Sequence, residues 1–151
     1  MGAREIVKAL TARRQTLCVA ESLTGGLMSD SVVQVPGASY VFLGGVVSYD
    51  ERMKEKILGV SAETLAKYTA VSSQTACEMA NGVRKLMGAD YALSATGYAG
   101  PDGEDVGLVY IGYADADVCE SVECRFAGDR AEIRRQSVEK ALEVLSRHLM
   151  G

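Results

Sequence analysis

Histidine is nearly absent. His148 is the only one in 151 residues and lies three residues from the carboxyl end, so a Ser-His-Asp or Cys-His mechanism would need the tail to fold back into the site. Any hydrolytic base here is therefore expected to be something else, and a zinc centre would have to be built mainly from dispersed cysteines and carboxylates. Cysteine is sparse too. Cys18, Cys77, Cys119 and Cys124 include no C-x-x-C pair, and their apolar or alternating contexts read as reduced core or strand positions. The 16 Lys and Arg are outnumbered by 20 Asp and Glu and scattered along the chain, which argues against a nucleic-acid partner. No apolar run approaches the ~20 residues of a membrane helix, and no charged-then-apolar signal pattern opens the chain. A cytoplasmic protein with no membrane partner is expected.

What is present fits one domain over residues 1–151, with no linker. Ile6, Val7 and Leu10 recur at helical spacing between about Ala3 and Arg14. A short apolar strand, Thr16 to Ala20, then breaks into small residues before a second helix from Leu27 to Val35, stopped by Pro36-Gly37. Val41 to Val47 reads as a strand weakened at Gly44-Gly45. Helices follow over Glu51 to Leu58, Ser61 to Tyr68 and Ser72 to Met87, the last two opened by serine caps and the last closed by Gly88. Tyr91 to Thr96 is a third strand, and Leu108 to Tyr113 with Val118 to Phe126 forms a hairpin. Asp129 and Glu132 are spaced as a capping box for a final helix with Val138, Ala141, Leu142, Leu145 and Leu149 on one stripe. This alternation predicts an α/β fold, a three-layer α/β/α sandwich around a mostly parallel mixed sheet of about five strands, one of them antiparallel.

Ligands in such sheets bind beyond the carboxyl ends of the strands. Three small-residue or polar segments fall there: Ser22 to Gly26, Tyr49 with Lys54, and Gly97 to Gly103. Ser22 sits at a strand-to-helix turn, where it is a nucleophile beside an oxyanion hole, the edge of a phosphate cradle formed by Gly25 and Gly26, or a plain cap on a glycine turn. Lys54 is a solvated helix lysine or, if burial lowers its pKa, a base for the serine; with histidine improbable, a serine hydrolase on this chain needs such a Ser-Lys pair. Tyr49 is a packed strand-end aromatic, or its hydroxyl bridges nucleophile and base. Thr96 is an ordinary strand residue or a polar group at the mouth of the strand. Arg130 and Arg134 stand in the first turns of the last helix, where the dipole disfavours cations, so they pair either with surface carboxylates or with a substrate anion.

Ordered along the chain are Ala20-Glu21-Ser22-Leu23-Thr24-Gly25-Gly26, Val35-Pro36-Gly37-Ala38-Ser39, Gly44-Gly45-Val46-Val47-Ser48-Tyr49 with Lys54, Leu58-Gly59-Val60, Ala70-Val71-Ser72, Thr96 to Gly103, and Gly128-Asp129-Arg130. Together they resemble the CinA C-terminal domain family from about residue 15 onward. The resemblance implies an α/β/α fold without metal or cofactor, and hydrolysis of the carboxamide of nicotinamide mononucleotide to nicotinate mononucleotide and ammonia. It makes Ser22 the nucleophile and Lys54 its base, with Tyr49 in support. Thr24, Gly25, Gly26, Thr96, Gly97 and Arg130 then hold the nucleotide, and a homodimer is expected. The alternatives are a nucleotide-binding module without catalysis and an amidohydrolase for another small carboxamide. Leu23 stands where the family usually has cysteine, and Ala38 where it has serine. The loop Gly103-Glu104-Asp105-Val106-Gly107 is shorter than usual.

Overall fold

The computed structural model describes all 151 residues. In chain order its elements are α1 (Ala3–Arg13), β1 (Leu17–Glu21), α2 (Leu27–Val33), a 3-10 turn (Ala38–Tyr40), β2 (Phe42–Val47), α3 (Glu51–Leu58), α4 (Ala62–Tyr68) and α5 (Ser73–Met87). They continue with β3 (Tyr91–Gly97), β4 (Leu108–Ala114), β5 (Cys119–Arg125) and α6 (Arg130–Met150). The predicted caps are formed: Ser61 accepts from the Thr64 amide, Ser72 from that of Thr75, and Asp129 and Glu132 close a reciprocal box.

The five strands lie in the order β2-β1-β3-β4-β5. β1 runs parallel to β2 and β3, and β4 is antiparallel to both of its neighbours. One strand is thus reversed. The period-two pattern of β1 divides the core: Leu17 and Val19 join α1, α2 and α6 on one face, whereas Cys18 and Ala20 join α3, α4 and α5 on the other. This is the three-layer α/β/α sandwich that the alternation of elements predicts.

Small residues let α5 approach the sheet closely. The Ser94 hydroxyl donates to the Ala76 carbonyl of α5 at 2.6 Å, and a Cβ at Gly112 would lie 2.3 Å from that same oxygen. Only glycine admits the helix there.

Three details depart from the sequence reading. The 3-10 turn Ala38–Tyr40 lies in a stretch with no periodicity to reveal it. Val118 falls before β5 and is exposed, because the hairpin turn occupies it. The expectation of four reduced cysteines is corrected: Cys77 on α5 and Cys119 at the start of β5 form a disulfide, with Cα atoms 5.8 Å apart, while Cys18 and Cys124 are buried thiols. That pairing spans 42 positions and depends on α5 crossing the sheet, which local pattern does not show. No helix is long and apolar enough to cross a membrane.

Candidate active site

The carboxyl ends of β1, β2 and β3 converge at one edge of the sheet, and the chain keeps its ladder bonds slightly beyond them. The Ser22 amide donates to Ala95 O at 3.1 Å, and the Ser48 amide to Glu21 O at 2.8 Å. Ser22 is thereby fixed to the central strands. Lys54, in the second turn of α3, points its ammonium-bearing end at the same place, with Nζ 2.9 Å from Ser22 Oγ. Nζ also donates to the carbonyls of Ser48 at 2.6 Å and Tyr49 at 3.3 Å.

Lys54 is 1% exposed and none of the ion pairs of the molecule includes it. Burial lowers its pKa to about 8, against the smaller opposing pull of Glu51 and Asp50. The three contacts suit either protonation state. The ammonium uses all three protons; the neutral amine keeps two on the carbonyls and turns its lone pair toward the Ser22 hydroxyl.

A cleft of about 410 Å³ opens over this pair. Its walls are Ser22, Leu23, Tyr49, Lys54, Ala70, Val71, Thr96 to Gly100, Asp102 and Arg130. Five segments distant in sequence meet there. The Thr96 hydroxyl donates to Ala70 O at 2.7 Å and so holds the α4–α5 connection against the end of β3. Ala70 and Val71 are wall residues that the reading of individual residues missed; the left-handed backbone at Thr69, φ 71°, that presents them has no sequence signature.

The glycine turn after Ser22 has a different occupant from the one anticipated. The Glu21 carboxylate is fully buried and accepts from the amides of Gly26, Met28 and Ser29 at 3.1, 2.8 and 2.9 Å, and from the Ser29 hydroxyl at 2.6 Å. The start of α2 is therefore filled by the anion of the chain itself. Gly25 donates to Ser22 O. Both glycine amides are thus used within the protein, and Thr24, Gly25 and Gly26 do not line the cleft, which corrects the phosphate-cradle reading. The amides of Leu23 and Thr24, in contrast, have no acceptor in the protein.

Tyr49 and the arginines are also placed differently. Tyr49 is 63% exposed, and its hydroxyl lies 3.4 Å from Arg130 Nη2 rather than between Ser22 and Lys54; its backbone carbonyl is what reaches the lysine. Arg130 bridges that hydroxyl and the carbonyl of Gly100 across the rim of the cleft, with no carboxylate partner. Arg134 meets neither carboxylate nor cleft: Nε and Nη2 donate to the carbonyls of Leu23 and Thr24 at 2.9 and 2.8 Å.

A Ser-Lys pair buried at the carboxyl edge of a mixed sheet, beneath a cleft with a cationic rim, defines a class of small three-layer α/β proteins. The chain belongs to the CinA C-terminal domain family, whose model matches residues 2–149. A CinA-like protein of Thermotoga neapolitana is 47% identical over 148 residues, covering 95% of this chain and 36% of that protein. The chain thus spans about a third of the length of the curated relatives it matches. The structure of a competence/damage inducible protein of Agrobacterium tumefaciens superposes with a TM-score of 0.94 at 37% identity, covering 99% of this chain and 93% of that one. A CinA superfamily protein of Klebsiella pneumoniae gives 0.94 at 34% identity, covering 98% and 95%.

Proposed function

We propose that the chain is a serine amidohydrolase acting on the carboxamide of nicotinamide mononucleotide, with Lys54 as the base. The observation that carries this reading is the 2.9 Å contact between Ser22 Oγ and a buried lysine whose pKa is lowered to about 8. A lysine held this way accepts a proton near neutral pH, which a solvated one does not.

Neutral Lys54 takes the hydroxyl proton of Ser22 as Oγ bonds to the carboxamide carbon. The oxyanion that forms beside Ser22 meets the free amide of Leu23 on the cleft wall, with the free amide of Thr24 next along the chain; such preorganised donors are worth ~3 kcal/mol each where measured. Lys54 returns the proton to the amide nitrogen, the C–N bond breaks, and ammonia leaves. Water, deprotonated by the same amine, then attacks the acyl-serine ester; the C–Oγ bond breaks, Lys54 returns the proton to Ser22 Oγ, and the acid product leaves, ionising to the carboxylate. Arg130, unpaired with any carboxylate on the rim, suits the phosphate of the nucleotide, and the cleft volume lies in the range of small-ligand sites.

Purified protein assayed for ammonia against nicotinamide mononucleotide, nicotinamide and other small amides tests the reading. Release from the nucleotide is expected. Ser22→Ala and Lys54→Ala should each abolish it while the unfolding midpoint of Ser22→Ala stays near wild type; an active Ser22→Ala protein overturns the scheme.

A further inference from the structure

Arg134 is the second arginine of α6, and its guanidinium is spent entirely on backbone. It donates to Leu23 O and Thr24 O at 2.9 and 2.8 Å, while Ser22 O accepts from the Gly25 amide at 3.1 Å. Three successive peptide planes after the serine thus have their carbonyls anchored. In a trans peptide the N–H points opposite to the C=O, so pinning Leu23 O from the α6 side turns the Thr24 N–H away from it. The Leu23 N–H is fixed likewise through Ser22 O. These are the two amides without an acceptor, and the hydroxyl of Thr24 is buried and unpartnered as well.

A buried polar cluster left unsatisfied is costly unless something fills it. A cation donating to a carbonyl also draws charge from the peptide and strengthens its N–H as a donor. We infer that Arg134 is a positioning residue: by clamping Leu23 O it orients and polarises the Thr24 amide, and by clamping Thr24 O it holds the peptide whose Gly25 N–H bonds Ser22 O and so sets the Leu23 amide, the pair next to Ser22 that receives the oxyanion. The inference rests on the amidohydrolase reading. Arg134 touches no substrate, since it lies off the cleft wall.

Two acyl donors separate the outcomes: nicotinamide mononucleotide, followed by ammonia, and p-nitrophenyl acetate, whose acylation of Ser22 expels p-nitrophenolate through the same kind of oxyanion. Arg134→Ala should lower kcat for the nucleotide about 10²-fold, with KM within about threefold, the scale of a lost oxyanion donor. The acylation rate with the ester should fall in parallel. Guanidinium ion added to Arg134→Ala should restore part of both, and Arg134→Lys, with one donor point in place of a fork, should fall between. Should Arg134→Ala fail to fold, Arg134→Lys still carries the test. A variant whose KM rises while kcat holds, or whose ester acylation equals wild type, overturns the role of Arg134 and leaves the Ser-Lys reading standing. Wild-type protein showing neither ammonia release nor Ser22-dependent acylation overturns both.

Discussion

In the proposed mechanism Lys54 is the base, and its pKa sets a pH dependence of definite sign. With a value of about 8, roughly a tenth of the lysines are neutral at pH 7, and the active fraction grows about tenfold per pH unit below the pKa. The value of kcat/KM should therefore rise with pH and level off above about 8. Glu51 opposes the burial effect more than Asp50 does, and it is exposed on the first turn of α3. Glu51→Gln should accordingly shift the rise to lower pH, by less than one unit, without a comparable change in the plateau. A shift to higher pH would show that the Glu51 carboxylate does not hold the Lys54 pKa up. The scarcity of histidine points to a lysine base, and the ordered motifs that resemble the CinA C-terminal domain family are what single out Ser22 and Lys54 in the sequence. The two carbonyls that hold Nζ are not legible there, since backbone groups carry no residue identity. Likewise the turn at Gly25-Gly26 reads correctly as a place for an anion, but composition does not say that Glu21 fills it.

Elements were readable wherever local physics decides them. Serine and aspartate caps, glycine stops, short apolar runs and the alternation of the hairpin give α3 to α6 and β1 to β5 within a few residues of their observed ends. What local physics omits is how closely elements cross. Gly82, in the middle of α5, shows the difference. In an isolated helix Gly→Ala gains about 1 kcal/mol, yet a Cβ at Gly82 would lie 1.8 Å from the carbonyl oxygen of Leu58, the last residue of α3. Backbone cannot swing aside as a side chain can. Gly82→Ala should destabilise the protein by about 1–3 kcal/mol, the usual cost of overpacking, as measured by urea unfolding. Because α3 also carries Lys54, ammonia release should fall beyond what the unfolded fraction explains. A more stable Gly82→Ala protein would mean that α3 and α5 do not meet as described. The Cys77–Cys119 pairing escaped the sequence for the same reason, as it is made by the crossing of α5 over the sheet.

Taken over the molecule, buried ionisable groups of opposite sign compete to set stability in alkali. Folded Lys54 loses its proton near pH 8 and the unfolded chain near 10.5. Between these values the unfolded state binds more protons, so rising pH stabilises the fold through this residue, by at most about 1.4 kcal/mol per unit. Cys18 acts in reverse. Burial pushes its thiol from 9.0 up to about 12, only partly offset by Arg84, so from pH 9 upward the unfolded state sheds a proton that the fold retains, and stability is lost. Cys124 is raised by burial too. Tyr113, stacked on His148 with ring centroids 3.6 Å apart, is raised by burial and by its hydrogen bond to Asp115, and it adds to the loss above pH 10. One lysine favours alkali, and two thiols and a phenol oppose it. The unfolding midpoint should rise from pH 8 to 9, stop rising between 9 and 10, and fall beyond. In Lys54→Met the rise should vanish and the fall begin near pH 9, whereas Cys18→Ala should extend the rise. Scanning calorimetry of the three proteins across pH 7–11 decides it: parallel curves for wild type and Lys54→Met would mean that Lys54 is solvated rather than buried, and the base assigned to Ser22 would fall with it.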